Sequence, residues 1–417
     1  MNLQRFAMLA GVLVTAATAT ASQLGGDPID LDHPAIAYRR QLTTDRVAQL
    51  NRRLETGETR LAFDDRTGYL RSLLTALEVP IESQMFVFSK TSVQQALIAP
   101  SNPRAIFFND SVVVAWMRGG FIEVAAHDRT QGTSFYVLPQ QAQPTPQLRR
   151  DNNCLGCHYS ATAEGVPGLI LRSIPTASDG SQMPWLGNAL VDHRTPIAER
   201  WGGWYVTGAH GSLQHLGNLI VPDRRASELP AWTADRTLTT LAGRFDTREY
   251  PSPHSDIVAL LVFEHQARMM NLLTRAGWEA RVLEQKGASA ASAGLDETVS
   301  ALVDYLLFVG EAPLDRVRGT SGFAEYFRAL GPRDGKGRSL RDFDLQKRLM
   351  RYPCSYMIYT EAFDALPAGV REVIYGRLKE VLTGADRAAK YAHLTAADRQ
   401  AILEILRATK KNLPANF

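Results

Sequence analysis

Residues 154 to 158 read Cys154-Leu155-Gly156-Cys157-His158, and this C-x-x-C-H pentapeptide constrains the chain more tightly than any other stretch. Its two thiols stand about one helical turn apart, and an imidazole follows at once. Two common uses of paired cysteines fit poorly. A zinc site needs about four ligands, usually from a second paired motif, and the only other cysteine in the sequence is Cys354. A thioredoxin-like motif opens a helix after an apolar strand, whereas the residues here, Leu148-Arg149-Arg150-Asp151-Asn152-Asn153, are largely polar.

The spacing suits covalent attachment of a haem. Two thiols one turn apart reach the two vinyl groups of one porphyrin, and the next side chain, His158, is placed under the iron. At this pentapeptide the chain resembles the c-type cytochromes. The resemblance implies one covalent haem c, with thioether bonds from Cys154 and Cys157 and His158 as axial iron ligand. It covers five residues and implies nothing about the remaining fold.

Haem attachment of this kind takes place on exported polypeptides, and the N-terminus agrees. Arg5 supplies a positive charge, Phe6 to Ala17 is a short apolar run, and Ala19-Thr20-Ala21 has the small-x-small pattern of a signal-peptidase site. Cleavage is expected after Ala21. The apolar run is shorter than the ~20 residues that span a bilayer. The mature protein is therefore expected to be periplasmic or secreted, with peripheral or no membrane contact. Cys354, the odd cysteine, lies in Tyr352-Pro353-Cys354-Ser355-Tyr356-Met357-Ile358, an apolar setting that predicts a buried, inert thiol.

Charge limits the partners. The chain has 46 basic and 43 acidic residues, formally +3, and loss of Arg5 with the leader lowers this by one. Such a balance does not suggest nucleic acid. From Asp315 to Arg351, however, ten Lys or Arg face five acids, a segment that a redox partner protein of acidic surface could meet.

The pattern of elements predicts an α+β fold, with a β-containing central haem region between an N-terminal helical segment and a C-terminal helical region. After the signal peptide (1–21), residues 22–150 are read as a helical segment followed by a β meander. Leu50, Leu54, Leu70, Leu73, Leu74 and Leu77 are spaced for helices within 34–79. Strands are expected at 85–88, 105–108, 112–116, 121–124 and 134–138, with turns at Asn109-Asp110 and Arg118-Gly119-Gly120. Residues 151–286 form the haem-binding region, glycine-rich over 159–250 with strand signals at 169–171 and 204–206. They end in a helix that Ser252 and Pro253 can open. Gly287 to Gly294 has linker composition, and 295–417 is read as helical near 297–309, 340–352 and 368–383. A last helix is expected to open at Thr395 with a capping-box pattern.

The sixth iron ligand decides function, since a strong protein ligand closes the iron for electron transfer and a weak or missing one opens it to substrate. His210 leads, because glycines flank it in Trp201-Gly202-Gly203-Trp204-Tyr205-Val206-Thr207-Gly208-Ala209-His210-Gly211 and would let backbone approach a flat macrocycle. His265, one turn before Met269 on an apolar stripe, comes next. His193, His215 and Met183 of Met183-Pro184-Trp185 complete the set. Asp192, His193, Glu199 and Arg200 are available for acid-base work, but no catalytic residue is assigned. The leading expectation is an exported monohaem electron carrier with bis-His iron. The alternatives are a haem c-dependent oxidoreductase of peroxidase or oxygenase type with an open distal site, or a non-enzymatic haem sensor or complex subunit. The length beyond the ~100 residues a simple cytochrome needs is what keeps the enzyme in view.

Overall fold

The computed structural model describes residues 27–288 and 293–417. The signal-peptide expectation lies outside the described residues, as do residues 289–292 of the expected linker. The fold is α+β.

Its centre is a seven-stranded antiparallel sheet. Six strands follow in sequence: β1 (Met85–Val87), β2 (Arg104–Phe108), β3 (Val112–Trp116), β4 (Ile122–Asp128), β5 (Gly132–Leu138) and β6 (Arg149–Arg150). A seventh, β7 (Trp204–Tyr205), returns from the glycine-rich region to pair with β1. Side chains alternate between the two faces of a strand, and here both faces are covered. Phe86, Ala105, Phe107, Val112, Val114 and Trp116 share one core with the N-terminal helices α1 (Arg46–Glu55) and α2 (Leu70–Ala76). Met85, Val87, Ile106, Phe108, Val113 and Ala115 share the other. That second core is built on one long helix, α4 (Ile257–Gln285), and takes in α5 (Ala293–Leu306) and the C-terminal helices 368–383 and 396–409. Burial of nearly every side chain in its first five turns explains why α4 reads as apolar almost all round.

Several expectations are met. All five meander strands form within a few residues of their expected bounds, and the last helix carries a capping box between Thr395 and Asp398. Others are corrected. The long helix starts at Ile257, not beside Ser252, because Asp256 caps it: Oδ1 accepts from the Val258 and Ala259 amides at 2.8 and 3.2 Å. Residues 340–352 are not helical. Asp344 Oδ1 accepts from the Gln346 and Lys347 amides at 2.9 Å each and turns the chain so that Phe343 bridges to Met350. Leu169-Ile170-Leu171 is not a strand, for a reason that matters at the site.

The basic segment is largely neutralised within the chain. Arg316 pairs with Asp315, Arg333 with Asp342, Lys336 and Arg338 with Glu404, Arg341 with Asp110 and Arg348 with Asp398. Among the described residues no helix is long and apolar enough to cross a membrane.

Candidate functional site

The pentapeptide folds as a 3-10 turn at Asn152–Cys154 that runs into one turn of helix, α3 (Leu155–His158). Asp151 opens it by accepting from the Asn153 amide at 2.9 Å. Beside α3 lies a cavity of about 560 Å³. That is within the range of roughly 300–1,000 Å³ usual for cofactor sites. Cys157 and His158 line it. The sheet supplies Val87, Ile106, Val113 and Ala115, all on the α4-facing side, Leu169, Leu171, Trp204 and Phe263 add further apolar wall, and Arg104, Arg172 and Gln182 stand among them. Such walls suit a large, flat, apolar group.

His158 is held in one tautomer. Its Nδ1 lies 2.9 Å from the Gly168 carbonyl, which can only accept, so Nδ1 carries the proton and Nε2 keeps its lone pair. Burial lowers the affinity of the ring for a second proton. A neutral imidazole with one nitrogen anchored to backbone and the other free is the state a metal ligand requires.

The anchor is itself anchored. Asn271 on α4 accepts from the Leu169 amide at 3.0 Å and donates to the Leu169 carbonyl at 2.8 Å. The 169–171 segment therefore pairs with a side chain instead of a strand. A Cβ on Gly168 would run into the Asn271 amide, so glycine is needed for the close approach.

The two thiols differ. Cys157 borders the cavity, while Cys154, half-buried, packs beside Leu155 and Phe135. Burial above all, then Asp151, pushes the Cys154 thiol up to about 11. No disulfide joins any two of the three cysteines. Among the described residues no three His, Cys, Asp or Glu side chains gather to hold a metal ion unaided.

The structure does not bring the five distal candidates to this cavity. His210 pairs against Val317 in a two-residue ladder, and both ring nitrogens are engaged, Nδ1 with the Leu213 carbonyl at 2.6 Å and Nε2 with Thr237 Oγ1 at 2.8 Å. His193 and His265 form a buried pair, Nδ1 to Nδ1 2.8 Å, with His265 Nε2 on Ser355 Oγ at 2.7 Å. His215 is buried against Trp201 and His210. Met183 sits in a satellite cluster with Ala177, Leu219 and Val221, and Met269 is core packing. Among the described residues His158 is the one imidazole on the cavity wall. Of the acid-base set, Arg200 is buried in an ion pair with Glu264 at 2.7 Å, whose other oxygen takes the Trp201 indole N–H. Asp192 pairs with Arg194 and Arg268, and the latter reaches Glu164 at 2.8 Å, two residues beyond the cavity-lining Thr162.

Sequence reasoning missed Arg104, Gly168 and Asn271. Arg104 carried a legible signal, since it stands two residues before Ile106 and so shares its face of β2. Asn271 carried none beyond being polar on an apolar helix.

Compared with protein families, with curated proteins and with solved structures, the chain finds no match.

Proposed function

We propose that this chain is an exported monohaem c-type haem protein whose porphyrin occupies the cavity beside α3, bound through Cys154 and Cys157, with His158 as proximal iron ligand. One observation carries the reading: the His158 imidazole, on the wall of an apolar cavity, has Nδ1 committed to the Gly168 carbonyl and Nε2 free. Cys157, His158 and the largely apolar wall fit the group, and Cys154 would turn from its packing beside Leu155 and Phe135 to reach it. Haem would supply one-electron redox chemistry and an iron able to take a sixth ligand.

The same wall favours an open distal position. Val, Ile, Leu, Phe and Trp side chains make up most of the cavity wall, with Arg104, Arg172 and Gln182 among them, and the five expected protein ligands are bonded or packed elsewhere. The function this supports best is a haem c-dependent oxidoreductase of peroxidase or oxygenase type, ahead of the bis-His electron carrier. Asn271 fixes the segment that carries the proximal anchor. An extracytoplasmic redox protein remains the partner such chemistry needs.

The test is the visible and EPR spectrum of the haem-loaded protein. High-spin five-coordinate iron whose ferrous form binds carbon monoxide at once is the expected result. A low-spin six-coordinate iron that resists carbon monoxide restores the electron carrier, and His210→Ala and His265→Ala then identify the ligand.

A further inference from the structure

Two cations stand on the cavity wall, and they are held differently. Arg172 is exposed and, among the described residues, its side chain reaches only Asn188 Oδ1, at 3.3 Å. Arg104 is mostly buried, its side chain 17% exposed, and one of its terminal nitrogens donates to Glu123 Oε2 at 3.0 Å. Its Nε is buried and, among the described residues, has no hydrogen-bond partner. A guanidinium with an unpaired N–H on an apolar wall is unfavourable unless an anion meets it, and its planar fork matches a carboxylate.

The placement is built by the sheet. Arg104 opens β2 in phase with Ile106, and Glu123 lies opposite Ala115 in the β3–β4 register, so both rise from the cavity face across β3. Ser92 Oγ donates to Glu123 Oε1 at 2.6 Å and steadies it. Glu123 thus fixes the guanidinium while leaving Nε and the second terminal nitrogen uncommitted to it.

We infer that Arg104 is a carboxylate receptor of this cavity and takes a propionate of the haem, with Glu123 as the residue that positions it; this rests on the haem reading above. A cation at a propionate favours the ferrous state, and a competing carboxylate on that cation opposes it.

The experiment uses the full chain loaded with haem in a host that attaches haem c, with covalent haem first verified by mass. One-electron midpoint potentials are then measured for the parent, Arg104→Gln, Arg104→Lys and Glu123→Gln, each with and without added acetate. Arg104→Gln should lower the reduction equilibrium constant about tenfold, near 59 mV for one electron. Arg104→Lys should recover most of that loss, and Glu123→Gln should move the midpoint upward. General damage to the sheet would not move the two charge-removing variants in opposite directions. If Arg104→Gln does not accumulate, Glu123→Gln decides alone, a rise supporting the inference. An unchanged midpoint in either charge-removing variant, with haem in place, overturns it. Acetate that shifts the parent but not Arg104→Gln also overturns it, by showing a free carboxylate at the arginine. A parent chain without covalent haem fails at the earlier step and removes the haem reading itself.

Discussion

Replacing Asn271 by alanine should loosen the segment that orients His158. The Asn271 amide satisfies both polar groups of the Leu169 peptide, at 3.0 and 2.8 Å, and Leu169 follows directly on the Gly168 carbonyl that anchors the imidazole. Alanine leaves a buried N–H and a buried C=O unpaired. Each such group costs roughly 1–3 kcal/mol, and water entering from the cavity relieves part of this, so the expected loss is about 2–5 kcal/mol. That is a large share of the roughly 5–15 kcal/mol by which proteins are usually stable. Urea unfolding followed by circular dichroism measures it, with the midpoint expected to fall at constant slope. Gly168→Ala, which drives a Cβ against the same amide, should act in the same direction. A change below about 0.5 kcal/mol for Asn271→Ala, the level of an ordinary surface substitution, would refute the claim that α4 clamps the proximal anchor.

Other consequences can be measured on the same protein. His193, His215 and His265 are buried, and burial first of all lowers each below its ordinary 6.5, His215 and His265 to about 3. The unfolded chain binds protons that these folded rings refuse, so stability is full above about pH 6.5 and drains as pH falls toward 4. A pH series of unfolding free energies should show this, and His265→Asn should flatten it by about 1.4 kcal/mol per unit; a level profile from 7 to 4 would sink the assignment. Arg200→Met strands the buried Glu264 carboxylate and should cost about 3–5 kcal/mol in the same denaturation assay. Burial pushes the Cys354 thiol up to about 12, so a colorimetric thiol reagent should leave it unmodified until the chain unfolds.

The sheet was legible because its strands are short runs of β-branched and aromatic residues with turn residues between them, a signal that depends on near neighbours alone. The terminal helix was legible for a similar reason: Thr395 and Asp398 cap it within four residues. The start of α4 differs from the expected one because Ser252-Pro253 looks like a helix opening locally, while Asp256 also accepts from the Thr320 and Ser321 amides, contacts across 64 and 65 residues. The candidate attachment motif could be read from five consecutive residues. The surroundings of the candidate sixth ligands could not, because His210, His193 and His265 are engaged by Thr237, Ser355 and one another, partners that only the tertiary fold brings together. Arg104 was within reach, as a charge in phase with a buried strand face.

The central claim is that Cys154, Cys157 and His158 hold a covalent haem, and the intact mass of the denatured mature protein, expressed where haem c is attached, tests it most directly. The expected result is the polypeptide plus one haem, staining with the chain on a denaturing gel after acid-acetone extraction, with both features lost in the Cys154→Ala, Cys157→Ala double variant. A polypeptide of unmodified mass that carries no haem stain would contradict the account.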